Sequence, residues 1–413
     1  MLKNVKCARC VKCGKEYEAV PNLTNCECGG ILDIIYDYDY IKANLTKEKL
    51  KSRPNTMWRY RELLPVEETT PDTPLRVGWS PLYEEDRLAK LLGLKKLWVK
   101  DDGQNPTASL KDRASAMAVA KAKEAGAEII ACSSTGNAAS SLAGNAAAAG
   151  LKTFIFVPSR APKGKVAQLM TFGANVISVQ GNYEETFELS KKAIDKWGWY
   201  NRNAAINPSL SEGKKTVSLE IAEQLGWKMP DYLAISVGDG CTIAGVWKGL
   251  KDLYAIGFID KLPRLISAQA EGCHPINHAI AENKPWEPME ENTLADSIAV
   301  GVPRNADKAL MAIRESNGIV VNVTDEEIMA AQKLLGTTCG VFGEPAGVTG
   351  TAGVKKLCEQ GVLGANDTVV SVVTGNGLKD VANAIKSAGE PINIKPDLDL
   401  MVEEFAKRGV TVE

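Results

Sequence analysis

Short apolar runs alternate with stretches of helical periodicity along most of the chain. This alternation predicts strands that are each followed by a helix. The predicted strands occupy residues 95–100, 128–133, 152–157, 175–180, 232–238, 264–270, 318–323 and 368–375. The clearest predicted helices are 110–125, which ends before Gly126, 137–149, which ends before Gly150, 163–172 and 183–197. Because nearly continuous apolar strands are typical of parallel sheets covered by helices on both faces, the pattern predicts an α/β fold.

Composition narrows the classes of function. The chain has 413 residues, which predicts more than one structural unit, and its net charge of -2 gives no reason to expect nucleic acid or an anionic membrane as partner. No apolar run is long enough to cross a bilayer, and the N-terminal residues lack the apolar core of a signal peptide. We therefore expect a cytoplasmic protein that acts on a small molecule.

The chain has only two histidines, His274 and His278, in one short segment. A histidine triad or a histidine metal site would have to be built from this pair, and a structural role is the more favoured interpretation. If the protein is an enzyme, we expect its proton transfers to use lysine or a carboxylate, with a cofactor as the electrophile.

The loops that follow the predicted strands carry the candidate binding residues, because ligands of open α/β sheets bind where strands lead into helices. The segment VGDGCTIAG (237–245) is suited to a phosphate, although a tight turn explains it equally well. The hydroxyls of SSTGNAASS (133–141) would bind a carboxylate or cap a helix. In TGNGLKD (374–380), the hydroxyl of Thr374 would meet either a ring nitrogen or a backbone group. FGEPAG (342–347) is a fourth unusual loop.

Lys111, in the segment PTASLKDR (106–113), is the candidate nucleophile. A solvated charge is the default role of a lysine, but this one lies near a predicted helix start with Ser109 as the expected N-cap. A helix N-terminus and burial both lower the pKa of an amine, which favours Schiff-base chemistry. A lysine, a phosphate loop, a carboxylate loop and a partner for a ring nitrogen together match the requirements of pyridoxal phosphate.

Five segments, in this order, resemble the threonine synthase family: NPTASLKDR, SSTGNAASS, EGKKT, VGDGCTIAGVWKG and TGNGLKD. The resemblance implies a fold type II pyridoxal-phosphate enzyme like the tryptophan synthase β chain, with two parallel-sheet domains. It also implies a lyase reaction in which O-phosphohomoserine and water give threonine and phosphate. A homodimer is expected for this fold.

The resemblance also assigns roles to single residues. Lys111 corresponds to the lysine that carries the cofactor, Asn137 to the residue at its ring hydroxyl, and Thr374 to the residue at its ring nitrogen. The loop that binds the cofactor phosphate in the family corresponds to Gly238, Asp239, Gly240, Cys241 and Thr242. The residues that bind the substrate carboxylate correspond to Ser134 and Thr135.

The segment NAAINPSLSEGKKT (203–216) departs from the family pattern where the substrate phosphate is expected to bind. Ala204 and Ala205 replace an Asn-Ser pair, and Leu210 replaces an arginine. Each lost charged hydrogen bond would weaken phosphate binding by about 1.5–3 kcal/mol. We assign Lys165 and Lys214 to substrate binding as candidates to compensate, together with Arg202.

This departure leaves a second function open within the same cofactor class. A related lyase or β-replacement enzyme would act on an unphosphorylated or otherwise β- or γ-substituted amino acid, as serine and threonine dehydratases do. A third hypothesis is a non-catalytic binding protein whose N-terminal unit docks a partner, which requires that Lys111 carry no cofactor.

The N-terminal residues 1–35 contain five of the ten cysteines and are predicted to form a zinc-ribbon-like unit. The candidate ligands are Cys10, Cys13, Cys26 and Cys28, although the second pair is one residue closer than in a usual zinc knuckle. Structural zinc is favoured over free thiols, and Cys7 is an alternative ligand.

The predicted boundaries divide the rest of the chain into four parts. They are a connecting arm at 36–75, a large cofactor-binding domain at 76–110 and 205–387, a smaller α/β domain at 111–204, and a C-terminal tail at 388–413.

Overall fold

A computed structural model describes residues 2–161, 163–203 and 206–411. Ala204 and Ala205, which were expected to mark the departure from the family pattern, lie outside the described residues. None of the described helices is both long and apolar enough to cross a membrane.

The N-terminal unit is an antiparallel sheet with the strand order β2-β1-β3. Its strands are β1 (Val5–Cys10), β2 (Glu16–Tyr17) and β3 (Leu32–Tyr36). Two short helices, α1 (Tyr38–Asn44) and α2 (Lys47–Lys51), and a 3₁₀ helix (Met57–Leu63) then lead into the α/β region. Asp37 begins α1 as an N-cap that accepts two backbone hydrogen bonds, which fixes the chain direction after β3.

The rest of the described chain alternates strands and helices. The strands are β4 (Leu82–Glu84), β5 (Lys96–Asp101), β6 (Ile129–Ser133), β7 (Lys152–Pro158), β8 (Asn175–Val179), β9 (Tyr200–Asn201), β10 (Tyr232–Ser236), β11 (Arg264–Ala270), β12 (Ile319–Val323) and β13 (Thr368–Val373). The helices are α3 (Asp86–Leu92), α4 (Lys111–Glu124), α5 (Asn137–Ala148), α6 (Lys163–Thr171), α7 (Tyr183–Trp197), α8 (Ser209–Gln224), α9 (Cys241–Ala255), α10 (Pro275–Ala281), α11 (Ala306–Glu315), α12 (Asp325–Cys339), α13 (Pro345–Glu359), α14 (Val381–Ala388) and α15 (Leu398–Arg408). Further 3₁₀ turns lie at Asp102–Gln104, Asp296–Ile298 and Gly377–Asp380.

The strands form two mainly parallel sheets, which confirms the predicted α/β class. The larger sheet has the order β12-β11-β10-β13-β5-β4, and only the edge strand β4 runs antiparallel to its neighbour. The smaller sheet, β8-β7-β6-β9, is parallel throughout. In the larger sheet the central strands are buried on both faces, as their apolar sequences require, with Val370 and Leu233 fully inaccessible.

Helix α8 packs between α4 and α9 and brings the two halves of the site together. Its close approach to α9 depends on Gly245, where an added Cβ would lie only 3.0 Å from the carbonyl oxygen of Ser211. A side chain at this position would push the two helices apart, and with them the residues that they carry.

The N-terminal unit shares a hydrophobic core with these helices. Ile34 and Tyr36 belong to the same buried cluster as Val217 of α8 and Leu250 of α9. The hydroxyl of Tyr36 also donates a hydrogen bond of 2.6 Å to the buried carboxylate of Glu212. The unit is therefore attached through apolar contacts and through a buried polar pair.

Two boundary predictions need correction. Ser109 does not cap α4: the helix begins at Lys111, its N-cap position is Leu110, and no side chain caps it. Leu110 has φ -53° and ψ -23°, a helical conformation that does not suit side-chain capping, and the buried hydroxyl of Ser109 has no partner in the described structure. The sequence also favours a start of α9 near Ile243, but the helix begins at Cys241.

Candidate active site

A cavity of about 570 Å³ opens at the carboxyl ends of the strands of both sheets. Its walls follow β6, β7, β9, β10 and β13, which is where ligands bind in open α/β sheets. Most of the site residues predicted from the sequence line this one cavity: Lys111, Ser134, Thr135, Asn137, Lys214, Gly238, Asp239, Gly240, Cys241, Thr242 and Thr374.

Lys165 is the exception among the predicted substrate-binding residues. It does not line the cavity, but its amine lies 2.6 Å from the carboxylate of Asp296, which does. Its role in binding substrate therefore remains a prediction.

The amine of Lys111 lies in a setting that favours its neutral form. The pKa of Lys111 is lowered from the usual value near 10.5 to about 8, first because burial disfavours the charge and then because the cations of Lys214 and Arg202 are close. A fraction of the amine is consequently unprotonated near neutral pH and able to act as a nucleophile or base.

The two residues after Lys111 hold the start of α4 rigidly. Asp112 accepts hydrogen bonds from the backbone and hydroxyl of Thr107 at 2.8 and 2.9 Å. The guanidinium of Arg113 makes two hydrogen bonds to Asp102, at 2.7 and 2.8 Å, and further bonds to Glu220. Lys100 also pairs with Glu220, at 2.9 Å. Because all four side chains are fully buried, the backbone that carries Lys111 has little freedom.

The loop before α9 forms an uncapped helix N-terminus that faces the cavity. Gly240 occupies the N-cap position with φ +83°, no side chain caps the helix, and its first turn contains no acidic residue. A Cβ added at Gly238 would lie 2.8 Å from the Cα atom of Ile298. The carboxylate of Asp239 accepts a hydrogen bond from the backbone N–H of Arg304 at 2.6 Å. Free N–H groups and the helix dipole make this loop suited to a phosphate.

A second uncapped helix N-terminus, that of α5, faces the same cavity. Its N-cap is Gly136, and neither Ser134 nor Thr135 caps it through a side chain. Ser134 instead accepts a hydrogen bond of 3.3 Å from the N–H of Gly136. Capping, which was the alternative function of these hydroxyls, is therefore not observed.

Glu344 lines the cavity, although the sequence pattern assigned it no role. It lies in FGEPAG, the fourth unusual loop of the sequence. Its buried carboxyl accepts a hydrogen bond of 2.6 Å from the side-chain amide of Asn137. Burial raises the pKa of Glu344 to about 7, against the opposing effect of that hydrogen bond. The backbone N–H of Glu344 also donates to the carbonyl of Gly375 at 2.9 Å, next to Thr374.

Thr374 follows β13 and is positioned by backbone contacts. Its carbonyl accepts a hydrogen bond of 2.8 Å from the N–H of Leu110, and Gly375 forms an isolated bridge with Ser109. Its hydroxyl makes no hydrogen bond to any described residue, so the backbone group considered as its alternative partner is not observed.

These residues fit pyridoxal phosphate. The cavity contains a lysine with a lowered pKa, a glycine loop where side chains would clash, and the hydroxyl of Thr374, which has no partner among the described residues. The residues present therefore fit the cofactor, and the role of each one stays a prediction.

The four predicted metal ligands meet in the N-terminal sheet, far along the chain from this cavity. Ligand atoms of Cys10, Cys13, Cys26 and Cys28 all lie within 4.8 Å of one another. Individual sulfur–sulfur distances are 3.4–3.6 Å, close to the separation of about 3.8 Å that a tetrahedral zinc site with bonds of about 2.3 Å requires. Cys7, the alternative ligand, is not part of this cluster.

Comparison with known proteins decides the family. The family model for pyridoxal-phosphate dependent enzymes matches residues 74–375. A threonine synthase of Methanocaldococcus jannaschii is 42% identical over 95% of this chain and 98% of its own. A threonine synthase of Methanosarcina acetivorans is 42% identical over 96% of this chain and 97% of its own. The chain belongs to the threonine synthase family. It is a pyridoxal-phosphate-dependent lyase, as its sequence predicted.

The fold of this threonine synthase family member is shared with solved structures of lower identity. The processed form of threonine deaminase isoform 2 from Solanum lycopersicum has a TM-score of 0.63 and 20% identity, covering 80% of this chain and 84% of its own. Diaminopropionate ammonia lyase from Escherichia coli has a TM-score of 0.64 and 19% identity, covering 75% of this chain and 86% of its own. At such identities the likeness supports the fold alone.

Proposed function

We propose that this protein converts O-phosphohomoserine and water into threonine and phosphate, with pyridoxal phosphate bound to Lys111. One observation supports this best: an amine with a lowered pKa shares a cavity with two uncapped helix N-termini, those of α9 and α5. One N-terminus serves the cofactor phosphate, and the other serves the carboxylate of an amino acid.

The cofactor would be held by residues from both sheets. Residues 238–242 bind its phosphate through backbone N–H groups, and Asn137 contacts the ring hydroxyl. The neutral hydroxyl of Thr374 would contact the ring nitrogen without protonating it. When bound, pyridoxal phosphate stabilises negative charge that develops on the amino-acid carbon atoms.

Lys111 performs the proton transfers in this proposal. Its amine would be free once the substrate amine takes its place. It would then remove protons from Cα and Cβ and return protons to Cγ, which becomes the methyl group of threonine, and to Cα. Ser134, Thr135 and the N-terminus of α5 orient the carboxylate, so that the Cα–H bond points towards Lys111. The phosphate group leaves from Cγ, and water supplies the hydroxyl group at Cβ.

Turnover by the purified holoenzyme tests this function. We expect phosphate and threonine to appear from O-phosphohomoserine in equal amounts. No release of phosphate would refute the proposal.

Leu210 favours a second candidate function. It is buried in an apolar cluster at the position where an arginine for the substrate phosphate was expected. A dehydratase-like enzyme would form a keto acid and ammonia from serine or threonine. Keto-acid formation without turnover of O-phosphohomoserine would identify this alternative.

We also propose that Cys10, Cys13, Cys26 and Cys28 bind one structural zinc ion. The spacing of their sulfur atoms supports this assignment. Zinc would stabilise the small N-terminal sheet, which has few core residues of its own.

The division of the chain remains our proposal as well. The larger sheet is formed from residues 82–101 and 232–373, and the smaller sheet from residues 129–201. These ranges support a large domain at 76–110 and 205–387 and a smaller one at 111–204. Limited proteolysis would test the boundaries.

We further propose a homodimer that works in the cytoplasm. The dimer rests on the family resemblance, and light scattering after size-exclusion chromatography would measure it. All ten cysteines are free, which is typical of a reducing compartment and supports the location.

A further inference from the structure

Two buried cations line the cavity without a carboxylate partner. Arg202 is 2% exposed and Lys214 is 3% exposed. Among the residues described, the guanidinium of Arg202 donates only to the hydroxyl of Ser115, at 3.1 and 3.2 Å. The amine of Lys214 makes no hydrogen bond or ion pair within the part of the chain that the structure describes. Asp112 acts on Arg202 only from a distance, because its carboxylate is bonded to Thr107 and Asn145. Buried charges in proteins are normally paired, so within the described residues these two cations lack a directly bonded counter-ion.

The carboxylates that line the cavity do not provide one. Each of them is engaged by another group: Asp239 by the N–H of Arg304, Glu344 by Asn137, Asp296 by Lys165, Glu291 by the N–H of Gly301, and Glu184 by the side chain of Arg304. The counter-ion of Arg202 and Lys214 is therefore expected to be a ligand.

The geometry of α8 explains how Lys214 can supply a positive charge in place of the arginine expected at position 210. Leu210 and Lys214 are four residues apart on α8, and residues at this spacing lie on the same helix face, one turn apart. Leu210 stands where the family pattern has an arginine, and Lys214 places a cation on the same helix face one turn later. Lys214 and Arg202 both lie near enough to Lys111 to lower its pKa, so the three cations converge on one region of the cavity.

We propose that Arg202 and Lys214 bind the phosphate group of the amino-acid substrate. This assignment rests on the proposed function, because that reaction has a substrate phosphate. The cofactor phosphate is a second possible source of the same chemistry, but the uncapped N-terminus of α9 already offers it backbone N–H groups.

The position suits the step in which the phosphate leaves. When the bond between Cγ and the ester oxygen breaks, both electrons depart with that oxygen, and the product is inorganic phosphate. A guanidinium and an ammonium beside this oxygen stabilise the charge that develops on it. They therefore help to select a substrate with a phosphate over one with a hydroxyl group.

Binding of inorganic phosphate distinguishes a site for the substrate phosphate from a site for the cofactor phosphate. Its binding to the holoenzyme is measured through the absorbance of the bound cofactor, for the wild type and for R202Q and K214Q. The affinity of each apoprotein for pyridoxal phosphate is measured in parallel. R202K and K214R keep the positive charge and show whether a change at either position disturbs the fold. K251Q is the control, because it changes an exposed lysine of α9.

We expect R202Q and K214Q each to weaken phosphate binding by about tenfold or more, which is typical of losing a charged hydrogen bond. The affinity for pyridoxal phosphate should change less than about threefold, R202K and K214R should retain most of the phosphate binding, and K251Q should resemble the wild type.

Two results would overturn the assignment. A loss of cofactor affinity with unchanged phosphate binding would assign the two cations to the cofactor, and unchanged binding of both would make them structural. Turnover of O-phosphohomoserine is followed separately. Its absence alongside the expected phosphate results would refute the proposed reaction but leave the anion site intact.

Discussion

The backbone N–H of Leu110 donates a hydrogen bond of 2.8 Å to the carbonyl oxygen of Thr374. This bond joins the residue before Lys111 to the residue that follows the central strand β13. The lysine and the hydroxyl proposed for the ring nitrogen are therefore positioned by one backbone contact, rather than by two independent loops. A shift of either segment would displace both groups together.

Replacing Lys111 by alanine should abolish covalent attachment of the cofactor. Activity should fall by at least about a thousandfold, because the same amine is needed to bind the cofactor and to move protons. Borohydride reduction followed by peptide mass analysis checks the attachment. Lys123→Ala alters an exposed lysine of the same helix and should behave as the wild type. Cofactor trapped on a peptide without residue 111 would contradict the assignment.

The rate at which added pyridoxal phosphate attaches to the apoprotein should rise with pH, with a midpoint near 8 set by Lys111. The sign follows because only the neutral amine attacks, and its fraction grows as the pH rises through the pKa. Lys214→Gln removes a nearby cation and should move the midpoint upward. Stopped-flow absorbance measures the profile, and a midpoint near 10.5 for the wild type would show that burial does not act as described.

Replacing Arg113 by leucine should lower the free energy of unfolding by about 3–5 kcal/mol, because Asp102 would remain buried without its cation, while Glu220 would retain Lys100 as its cationic partner. Urea denaturation of the apoprotein provides the measurement. Arg408→Leu removes an exposed helical ion pair and should cost less than about 1 kcal/mol. Equal losses in the two variants would argue against a buried network.

Glu344 should make the apoprotein less stable as the pH rises. The pKa of Glu344 is raised from 4.5 to about 7, so its contribution is complete below pH 4.5 and is lost as the pH rises to 7. Glu344→Gln should remove this dependence, which amounts to about 3 kcal/mol. Urea denaturation at pH 5 and pH 8 compares the two proteins. A constant difference between them at both values would contradict the raised pKa.

The N-terminal cysteines should hold one zinc ion per chain, and Cys13→Ser or Cys28→Ser should remove it. Cys7→Ser should leave the metal content unchanged, since Cys7 lies outside the cluster. Elemental analysis of the purified proteins gives the stoichiometry. Loss of zinc in the Cys7 variant alone would require a different ligand set.

The sequence predicted the central strands correctly because they are short, apolar on both faces and bounded by turn residues. It did not predict β4 (Leu82–Glu84) or β9 (Tyr200–Asn201), which are too short to show any periodicity. The cap at Ser109 was predicted wrongly because the contacts of residues 374 and 375, far along the chain, determine the backbone there.

The candidate site was predictable where the residues of a single loop indicate what it binds, as in the glycine-rich residues 238–242. Glu344 was not predicted because it is positioned by a hydrogen bond from Asn137, which lies 207 positions away in the sequence. Likewise, nothing in the sequence shows that the carboxylates near Arg202 and Lys214 are already engaged by other groups. Such pairings arise only from the packing of distant helices and loops.

The hydrogen bond between Tyr36 and Glu212 has a consequence for biosynthesis. Its partners are 176 positions apart, so the N-terminal sheet leaves the ribosome well before the helices that cover it. At about 5–20 residues per second, this interval lasts roughly 10–35 s. Throughout that time the apolar side chains of β3 lack the partners that α8 and α9 supply to the same buried cluster. The strand is thus synthesised well before the two helices that complete its part of the core.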